Sequence, residues 1–226
     1  MSFNGFSKKG IEFLKEVEKN NTKEWFEAHR HIWQKEIRDK SISFVLEMGE
    51  TLQILEPEIN FEPKTGKSLF KIYRDTRFSK DKTPIKSKIG HIFWQGNGHK
   101  MQSSSFYLHY NKDSYFIASG IRAFKPPLLK KYREYIKNEN HSKELKEILL
   151  KIEKKGYNLP TDRYKRVPKE FDEDFAFKEL TIFKSMFAYK EYKMDEIFFS
   201  SKIIDRCFKI YSDLHPLQKW VYKMTI

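Results

Sequence analysis

The sequence predicts an α+β fold with N-terminal helices, a central and mainly antiparallel sheet, and C-terminal helices. Apolar residues recur at helical spacing from Phe6 to Leu52, two strands with alternating side chains follow, and helical spacing returns after Pro126. No internal repeat or long linker interrupts the 226 residues, so we expect a single domain over residues 1–226.

Two N-terminal helices are predicted from apolar spacing and capping residues. The first covers residues 7–19, with Ser7 as its N-cap. The second covers residues 22–54. Asn21 is its predicted N-cap, and Glu24 three residues later is typical of a capping box. We expect this long helix to break near Lys40-Ser41.

The sheet is predicted from short runs rich in aromatic and β-branched residues. The most distinct signal is a hairpin, in which Ser104–Tyr110 and Ser114–Arg122 flank a turn at residues 111–113. The other expected strands are Leu69–Asp75, Lys88–Gln95 and Glu196–Phe199. A sheet of about four to six strands is a common size.

The C-terminal half is predicted to be mainly helical. A Pro pair suits the first turn of a helix, and the charged amphipathic helix after it ends near Gly156. In order, the expected helices are Pro126–Ile136, Ser142–Lys155, Phe175–Phe187, Ile203–Tyr211 and Leu214–Met224.

Composition excludes several classes of protein. A hydrophobic fraction of 39% with 20 Phe and 12 Tyr is enough to build a core and is too aromatic for a disordered chain. Mean hydropathy is −0.73 and no apolar run approaches the roughly 20 residues of a membrane span, so we expect no membrane partner. A single cysteine, Cys207, and a start without a secretory signal favour a cytoplasmic location.

Positive charge is concentrated in one segment of the chain. The formal net charge is +13, and residues 64–88 contribute nine Lys or Arg against two Asp, a local excess of +7. Residues 1–60, in contrast, carry more acidic than basic side chains. A generally lysine-rich surface does not explain this asymmetry. It favours a polyanionic or phosphorylated partner.

No common catalytic or cofactor motif occurs in the chain. The phosphate-binding P-loop, the dinucleotide-binding glycine pattern, the HExxH zinc motif and the GxSxG nucleophile motif are all missing from the sequence. His29 and His31 flank one residue of a predicted helix, so their side chains should diverge. We therefore predict neither a cofactor nor a metal site.

The segment from Lys71 to Lys86 holds the residues best suited to anion chemistry. As a strand, it would put Tyr73, Asp75 and Arg77 on one face and Arg74 on the other. Planar guanidinium groups favour bidentate contacts to phosphate or carboxylate. The candidate anion-binding residues are Arg74, Arg77, Lys80, Lys82, Lys86 and, from a short basic stretch before Pro168, Arg166. The candidate acid or base groups are Asp75 and Tyr73.

Several of these residues belong to a longer pattern. Asn20-Asn21 with Trp25-Phe26, the run Tyr73-Arg74-Asp75-Thr76-Arg77-Phe78-Ser79-Lys80-Asp81-Lys82, then Tyr107, Gly120 and Lys165-Arg166 with Pro168 occur in order. This pattern resembles domain-of-unknown-function family 2461, a bacterial and fungal family of conserved hypothetical proteins. The resemblance covers roughly residues 3–223 and implies no particular activity.

The sequence is compatible with three functions. The leading hypothesis is a binding protein with a basic site for nucleic acid or another phosphorylated partner. The first alternative is an enzyme acting on a small anionic substrate, with Arg74, Arg77 and Arg166 holding the substrate. The second is a structural interaction protein, in which ion pairs such as Arg74 with Asp81 fix the charged loop. The sequence does not decide between enzyme and binding protein, and it gives no oligomeric state.

Overall fold

The computed structural model describes residues 2–172 and 174–226. The described chain has the predicted α+β fold, with helices near both ends of the sequence and a five-stranded antiparallel sheet. The helices are Lys8–Lys19 (α1), Lys23–Ala28 (α2), Arg30–Ile32 (α3), Asp39–Leu52 (α4), Pro126–Lys137 (α5), Glu139–Lys154 (α6), Lys178–Thr181 (α7) and Lys202–Thr225 (α8). A π-helical segment, Trp33–Arg38, lies before α4, and a 3-10 turn covers Lys100–Gln102.

The strands of the sheet lie side by side in the order in which they occur in the chain. They are Ile59–Asn60 (β1), Ile89–Gln95 (β2), Ser105–Tyr110 (β3), Ser114–Ile121 (β4) and Met186–Lys193 (β5). Antiparallel neighbours can be joined by a short turn, as β3 and β4 are, whereas residues 61–88 connect β1 to β2 and residues 122–185 connect β4 to β5.

The chain divides into two compact units, each built from three stretches of sequence. The first unit comprises Met1–Phe93, Tyr107–Ile117 and Glu191–Lys209, and the second comprises Trp94–Phe106, Ala118–Lys190 and Ile210–Ile226. Strands β2 to β5 and helix α8 each have residues in both units. The expectation of a single domain stays a prediction.

Aromatic side chains dominate the core of the first unit. Phe6 lies at its centre, with ring centroids 4.7 Å from Phe198, 4.9 Å from Tyr110 and 5.1 Å from Phe44. The imidazole of His91 is fully buried beside Phe44, at 5.1 Å between ring centroids. Burial lowers the pKa of His91 to about 3, so this ring is neutral at physiological pH.

The second unit packs helices α5 to α7 with the C-terminal part of α8. The Tyr132 hydroxyl donates to the Leu180 carbonyl at 2.8 Å, and the Trp220 indole donates to the His141 carbonyl at 3.1 Å. Gly120 lies at a close approach of two strands, since a Cβ built there would be 2.1 Å from the Met186 carbonyl oxygen. Its φ of +123° also favours glycine, which explains the glycine at this position.

The first helix has the predicted position, whereas the second is interrupted earlier than expected. Ser7 caps α1 as predicted, by accepting from the Gly10 amide. The N-cap of α2 is Thr22 rather than Asn21, because the Thr22 hydroxyl accepts from the Trp25 amide. The break falls at His29, whose φ and ψ are −109° and 10°, and the chain is continuously helical through Lys40-Ser41.

Two of the predicted strand regions are confirmed, and Leu69–Asp75 is not a strand. The hairpin is present as β3 and β4, with the Asn111 side chain accepting from the amides of Asp113 and Ser114. Strand β2 matches the prediction for Lys88–Gln95 within one residue. Between Leu69 and Asp75 there are only isolated bridges, which join Leu69 to Thr65 and His91 and Tyr73 to Ile85.

Three predictions for the C-terminal half are wrong. Only Lys178–Thr181 of the expected helix Phe175–Phe187 is helical, and strand β5 begins at Met186. Glu196–Phe199 forms a turn, because the Asp195 carboxylate accepts from the Phe198 amide at 3.0 Å. The two last helices are one helix, α8, with Pro216 inside it. Among the described residues, no helix has the length and apolarity needed to cross a membrane.

Candidate anion-binding site

The basic loop, defined as residues 73–86, is closed at its base by a short antiparallel contact. The Arg74 amide donates to the Pro84 carbonyl at 2.8 Å, and the Lys86 amide donates to the Ile72 carbonyl at 2.9 Å. Ile72 and Ile85 are buried at this base. The pairing ends there because Pro84 has no amide hydrogen to donate, so residues 75–83 project as a loop.

Asn21 fixes the far side of this base to the N-terminal helices. Its side-chain amide donates to the Ile85 carbonyl at 2.9 Å and accepts from the Ile85 amide at 2.9 Å. The Tyr73 hydroxyl adds a second attachment by donating to Glu27 at 2.6 Å. Both ends of the basic loop are therefore held by side chains from the segment that joins α1 to α2 and from α2 itself.

The contacts of Tyr73 affect its candidate role as an acid or base. Arg30 donates to the same Glu27 oxygen at 2.6 Å, and this contact, followed by that of Tyr73, lowers the pKa of Glu27. Burial and the neighbouring Glu27 raise the pKa of Tyr73. The phenol is therefore protonated at neutral pH and its proton points to an ionised carboxylate. A role for Tyr73 in acid or base chemistry stays a prediction.

Arg74 lies against the other end of the basic loop. Its guanidinium donates to the Asp81 carboxylate and to the Thr83 hydroxyl, and its side chain is only 28% exposed. Thr83 in turn donates to Asp81 through its amide at 3.0 Å and its hydroxyl at 2.8 Å. Arg74 first, and then Thr83, lower the pKa of Asp81 to about 2. The ion pair of Arg74 with Asp81 that the sequence suggested is present.

Arg77 forms a second ion pair with Asp75, two residues away. Its Nε and Nη2 atoms donate to the two carboxylate oxygens at 2.9 and 2.8 Å. These bonds lower the pKa of Asp75 to about 2, so Asp75 is ionised at neutral pH. The pair lies at the surface, with 76% of Arg77 and 61% of Asp75 exposed. Assignments of Arg77 to anion binding and of Asp75 to catalysis remain predictions.

The three candidate lysines differ in how firmly their side chains are held. The Lys86 ammonium donates to the Lys71 carbonyl at 2.6 Å, and partial burial, followed by the charges of Arg74 and Lys71, lowers its pKa. The Lys82 ammonium donates to the Thr76 carbonyl at 2.9 Å while its side chain remains exposed. Lys80 is also exposed. The structure thus brings Arg74, Arg77, Lys80, Lys82 and Lys86 together on one loop.

Arg166 belongs to the second unit, where it is exposed in the stretch between Arg163 and Pro168. Cation–aromatic contacts surround this stretch. The Arg163 guanidinium lies 3.5 Å from the Phe183 ring centroid, and Tyr164 lies 5.3 Å from each of Arg133 and Lys184. These contacts involve residues just before Arg166, and the Arg166 side chain itself is exposed.

Two grooves in the described chain were not predicted from the sequence. The first unit has one of about 480 Å³, lined mainly by α1, Trp25, His29 and His31. His29 and His31 both line this groove, and the helix is interrupted at His29. The second unit has one of about 680 Å³ around Tyr157, Asn158 and Arg163. Neither groove is lined by a residue of the basic loop, and no group of three His, Cys, Asp or Glu in the described chain can hold a metal ion.

Comparison with known protein families gives a match for this chain. The model of the family described as "Conserved hypothetical protein (DUF2461)" matches residues 9–220. The match includes the basic loop, Asn21, Gly120 and Arg166. No curated protein matches the sequence.

Proposed function

We propose that this chain, which belongs to the conserved hypothetical protein family DUF2461, binds phosphorylated or nucleic-acid polyanions through the lysines of residues 64–88. We call residues 64–88 the basic segment. One observation carries the proposal: both aspartates of the segment are paired with arginines, so the unbalanced charge resides on lysines. Most of these lysines are exposed, namely Lys64, Lys67, Lys71, Lys80, Lys82 and Lys88. Lys67 is paired with Glu62, which lies just outside the segment, at 3.0 Å.

The arginines and lysines have different roles in this proposal. Arg74 bonds Asp81 across the loop and Arg77 bonds its near neighbour Asp75, and these bonds restrict the conformations open to the loop. Lys80 and Lys82 lie on the same loop with exposed side chains, and the Lys82 ammonium also donates to the Thr76 carbonyl at 2.9 Å. Lysines on a preordered backbone attract a chain of phosphates without first having to order the loop, which reduces the entropic cost of binding. Arg77, with most of its side chain exposed, can add a direct phosphate contact.

The alternative of an enzyme for a small anionic substrate has less support. Such a substrate needs a concave site with several convergent polar groups. The two grooves described above are lined by other residues, and Asp75 is engaged by Arg77. We also propose that the protein is cytoplasmic, because nucleic acids and phosphorylated partners are present in that compartment.

The test compares two double variants of equal charge by fluorescence anisotropy with a labelled mixed-sequence single-stranded DNA 15-mer. Lys80→Gln/Lys82→Gln removes two charges from the basic segment, and we expect affinity to fall about 10- to 30-fold at roughly 0.1 M salt. Lys151→Gln/Lys154→Gln removes two exposed charges from α6 and is the control, with an expected change below about threefold.

The proposal depends on the difference between the two variants. Equal losses would mean that general net charge attracts the DNA and that the basic segment has no special part. Failure of the wild-type protein to bind at low salt, with heparin giving the same result, would remove the polyanion hypothesis altogether.

A further inference from the structure

Phe78 is the most exposed large hydrophobic side chain in the basic segment. It is 95% exposed, whereas Leu69, Ile72 and Ile85 of the same segment are buried. A phenylalanine so exposed has almost no packing partner within its own chain. Single exposed apolar residues are common at protein surfaces, so exposure alone is not evidence of a site. Phe78 differs from such isolated surface residues in its position at the tip of a loop and in its charged neighbours.

The position of Phe78 follows from a tight turn at the tip of the basic loop. The Ser79 amide donates to the Thr76 carbonyl at 3.3 Å, so Arg77 and Phe78 are the two central residues of a four-residue turn. Side chains at the centre of such a turn project away from the chain that closes it. The Arg77 guanidinium lies 5.7 Å from the Phe78 ring centroid.

The turn itself is held from both sides. On one side, Arg77 is bonded to Asp75 through its side chain and, at 3.3 Å, through its amide. On the other, the Lys82 ammonium donates to the Thr76 carbonyl at 2.9 Å. Phe78 is therefore presented to solvent by a hydrogen-bonded loop, and its exposure does not result from a lack of local structure.

The chemistry around the ring matches a nucleic-acid strand, in which phosphates and flat bases alternate. Arg77 precedes Phe78, and Lys80 and Lys82 follow it, so one exposed ring lies among cations. Single-strand binding proteins use this combination, because aromatic rings stack on bases while lysines and arginines contact phosphates. An anionic membrane also attracts lysines, but stable insertion commonly uses an apolar face of several residues. Phe78 is the one large hydrophobic side chain of residues 64–88 that is exposed.

We infer that the partner of the basic segment is single-stranded nucleic acid, with a base stacked on Phe78 and phosphates held by Lys80 and Lys82. This inference rests on the proposed polyanion-binding function and adds the requirement for bases. Stacking on Phe78 gives affinity with little preference for sequence, since each base offers a flat face.

The test distinguishes the contribution of bases to binding from that of phosphates. It uses two fluorescent 15-mers, oligo(dT) and a fully abasic oligomer with the same number of phosphates. Phe78→Ala should weaken oligo(dT) binding about tenfold and leave binding to the abasic oligomer unchanged. Phe78→Trp should bind oligo(dT) at least as tightly as the wild type. Ile54→Ala, which truncates another exposed apolar residue (74% exposed), is the control and should bind both probes like the wild type.

Each outcome bears on a different part of the account. If both oligomers bind and Phe78→Ala changes neither or weakens both equally, the stacking inference is wrong and the polyanion-binding proposal stands. If neither oligomer binds the wild-type protein, the stacking inference is wrong, and the polyanion-binding proposal is also wrong when heparin does not bind either. Binding of phosphatidylserine vesicles that needs Phe78, without a Phe78-dependent preference for oligo(dT), would also overturn the inference and assign the ring to a membrane surface. The melting temperature of Phe78→Ala should equal that of the wild type.

Discussion

Arg74 and Arg77 are three residues apart and differ in how their ion pairs meet solvent. Arg74 is largely covered, and it bonds Asp81 and Thr83 across the basic loop. Arg77 bonds its near neighbour Asp75 at the surface. An ion pair in water contributes little to stability. Removal of the partly buried Arg74 also removes the packing of its side-chain stem and its bonds across the loop, while Asp81 and Thr83 stay exposed to water.

This contrast predicts unequal effects of two matched substitutions. Arg74→Ala should lower the melting temperature by roughly 2–4 °C, and Arg77→Ala should change it by less than about 1 °C. Thermal unfolding followed by circular dichroism measures both. Equal shifts in the two variants would contradict the assignment of Arg74 as the residue that holds the loop.

His91 makes the stability of the first unit depend on pH. Its folded-state pKa is about 3, lowered from 6.5 by burial. Between these values the unfolded chain binds a proton that the folded chain does not, so stability falls as pH decreases below 6.5 and is unaffected by His91 above it. From pH 7.5 to pH 5 the loss should be about 2 kcal/mol.

The measurement is urea unfolding of the wild-type protein and of His91→Leu at both pH values. Leucine does not titrate, so the free energy of unfolding of the variant should fall by about 2 kcal/mol less than that of the wild type over this interval. The same pH dependence in both proteins would show that His91 is not the group responsible.

At the residue scale, the sequence predicted the Arg74 to Asp81 pair but not the attachment of the loop through Asn21. Charge counts and residue types suggested ion pairs, because Arg and Asp alternate within the run. The role of Asn21 could not be predicted, since its partner Ile85 lies 64 positions away in the chain. Asn21 and Thr22 are both good N-cap residues, and only the fold decides which of them caps α2.

At the scale of elements, sequence patterns predicted a helix or hairpin correctly where its caps and turns are formed by residues close together in the chain. Helix α1 and the β3–β4 hairpin have caps and turns within a few residues, and both were predicted within about one residue. Strand β5 was missed because its first residues continue an apolar run that also has helical spacing. The segment before Asp75 was predicted as a strand from its composition, but Pro84 and the Asn21 contacts with Ile85 prevent a longer ladder beside it.

The contact of Asn21 with Ile85 links two elements and can be tested directly. Asn21→Ala removes a paired donor and acceptor from a partly buried backbone group, and we expect a loss of about 1–2 kcal/mol in the free energy of unfolding. Asn20→Ala is the neighbouring control and should cost less, because Asn20 bonds only within its own helix end. A larger loss for Asn20→Ala than for Asn21→Ala would contradict this account of the loop base.

On the scale of the whole molecule, the sequence showed where positive charge is concentrated but did not predict the division of the chain into two compact units. The concentration of positive charge in residues 64–88 is a property of the sequence itself, and the structure adds that the lysines of this segment are mostly exposed. The division into two compact units was not predicted, because each unit is assembled from stretches that are distant in the chain. Hydrophobic periodicity reports local structure and carries no information about such assembly.

The central claim is that lysines of the basic segment bind a phosphate backbone, and the salt dependence of affinity tests it most directly. Titration of the single-stranded 15-mer between roughly 50 and 300 mM salt should give a log–log slope of about −3 for the wild-type protein. In Lys80→Gln/Lys82→Gln the slope should be shallower by about 1.4, because two phosphate contacts are lost. A wild-type slope near zero, or an identical slope in the double variant, would contradict the claim.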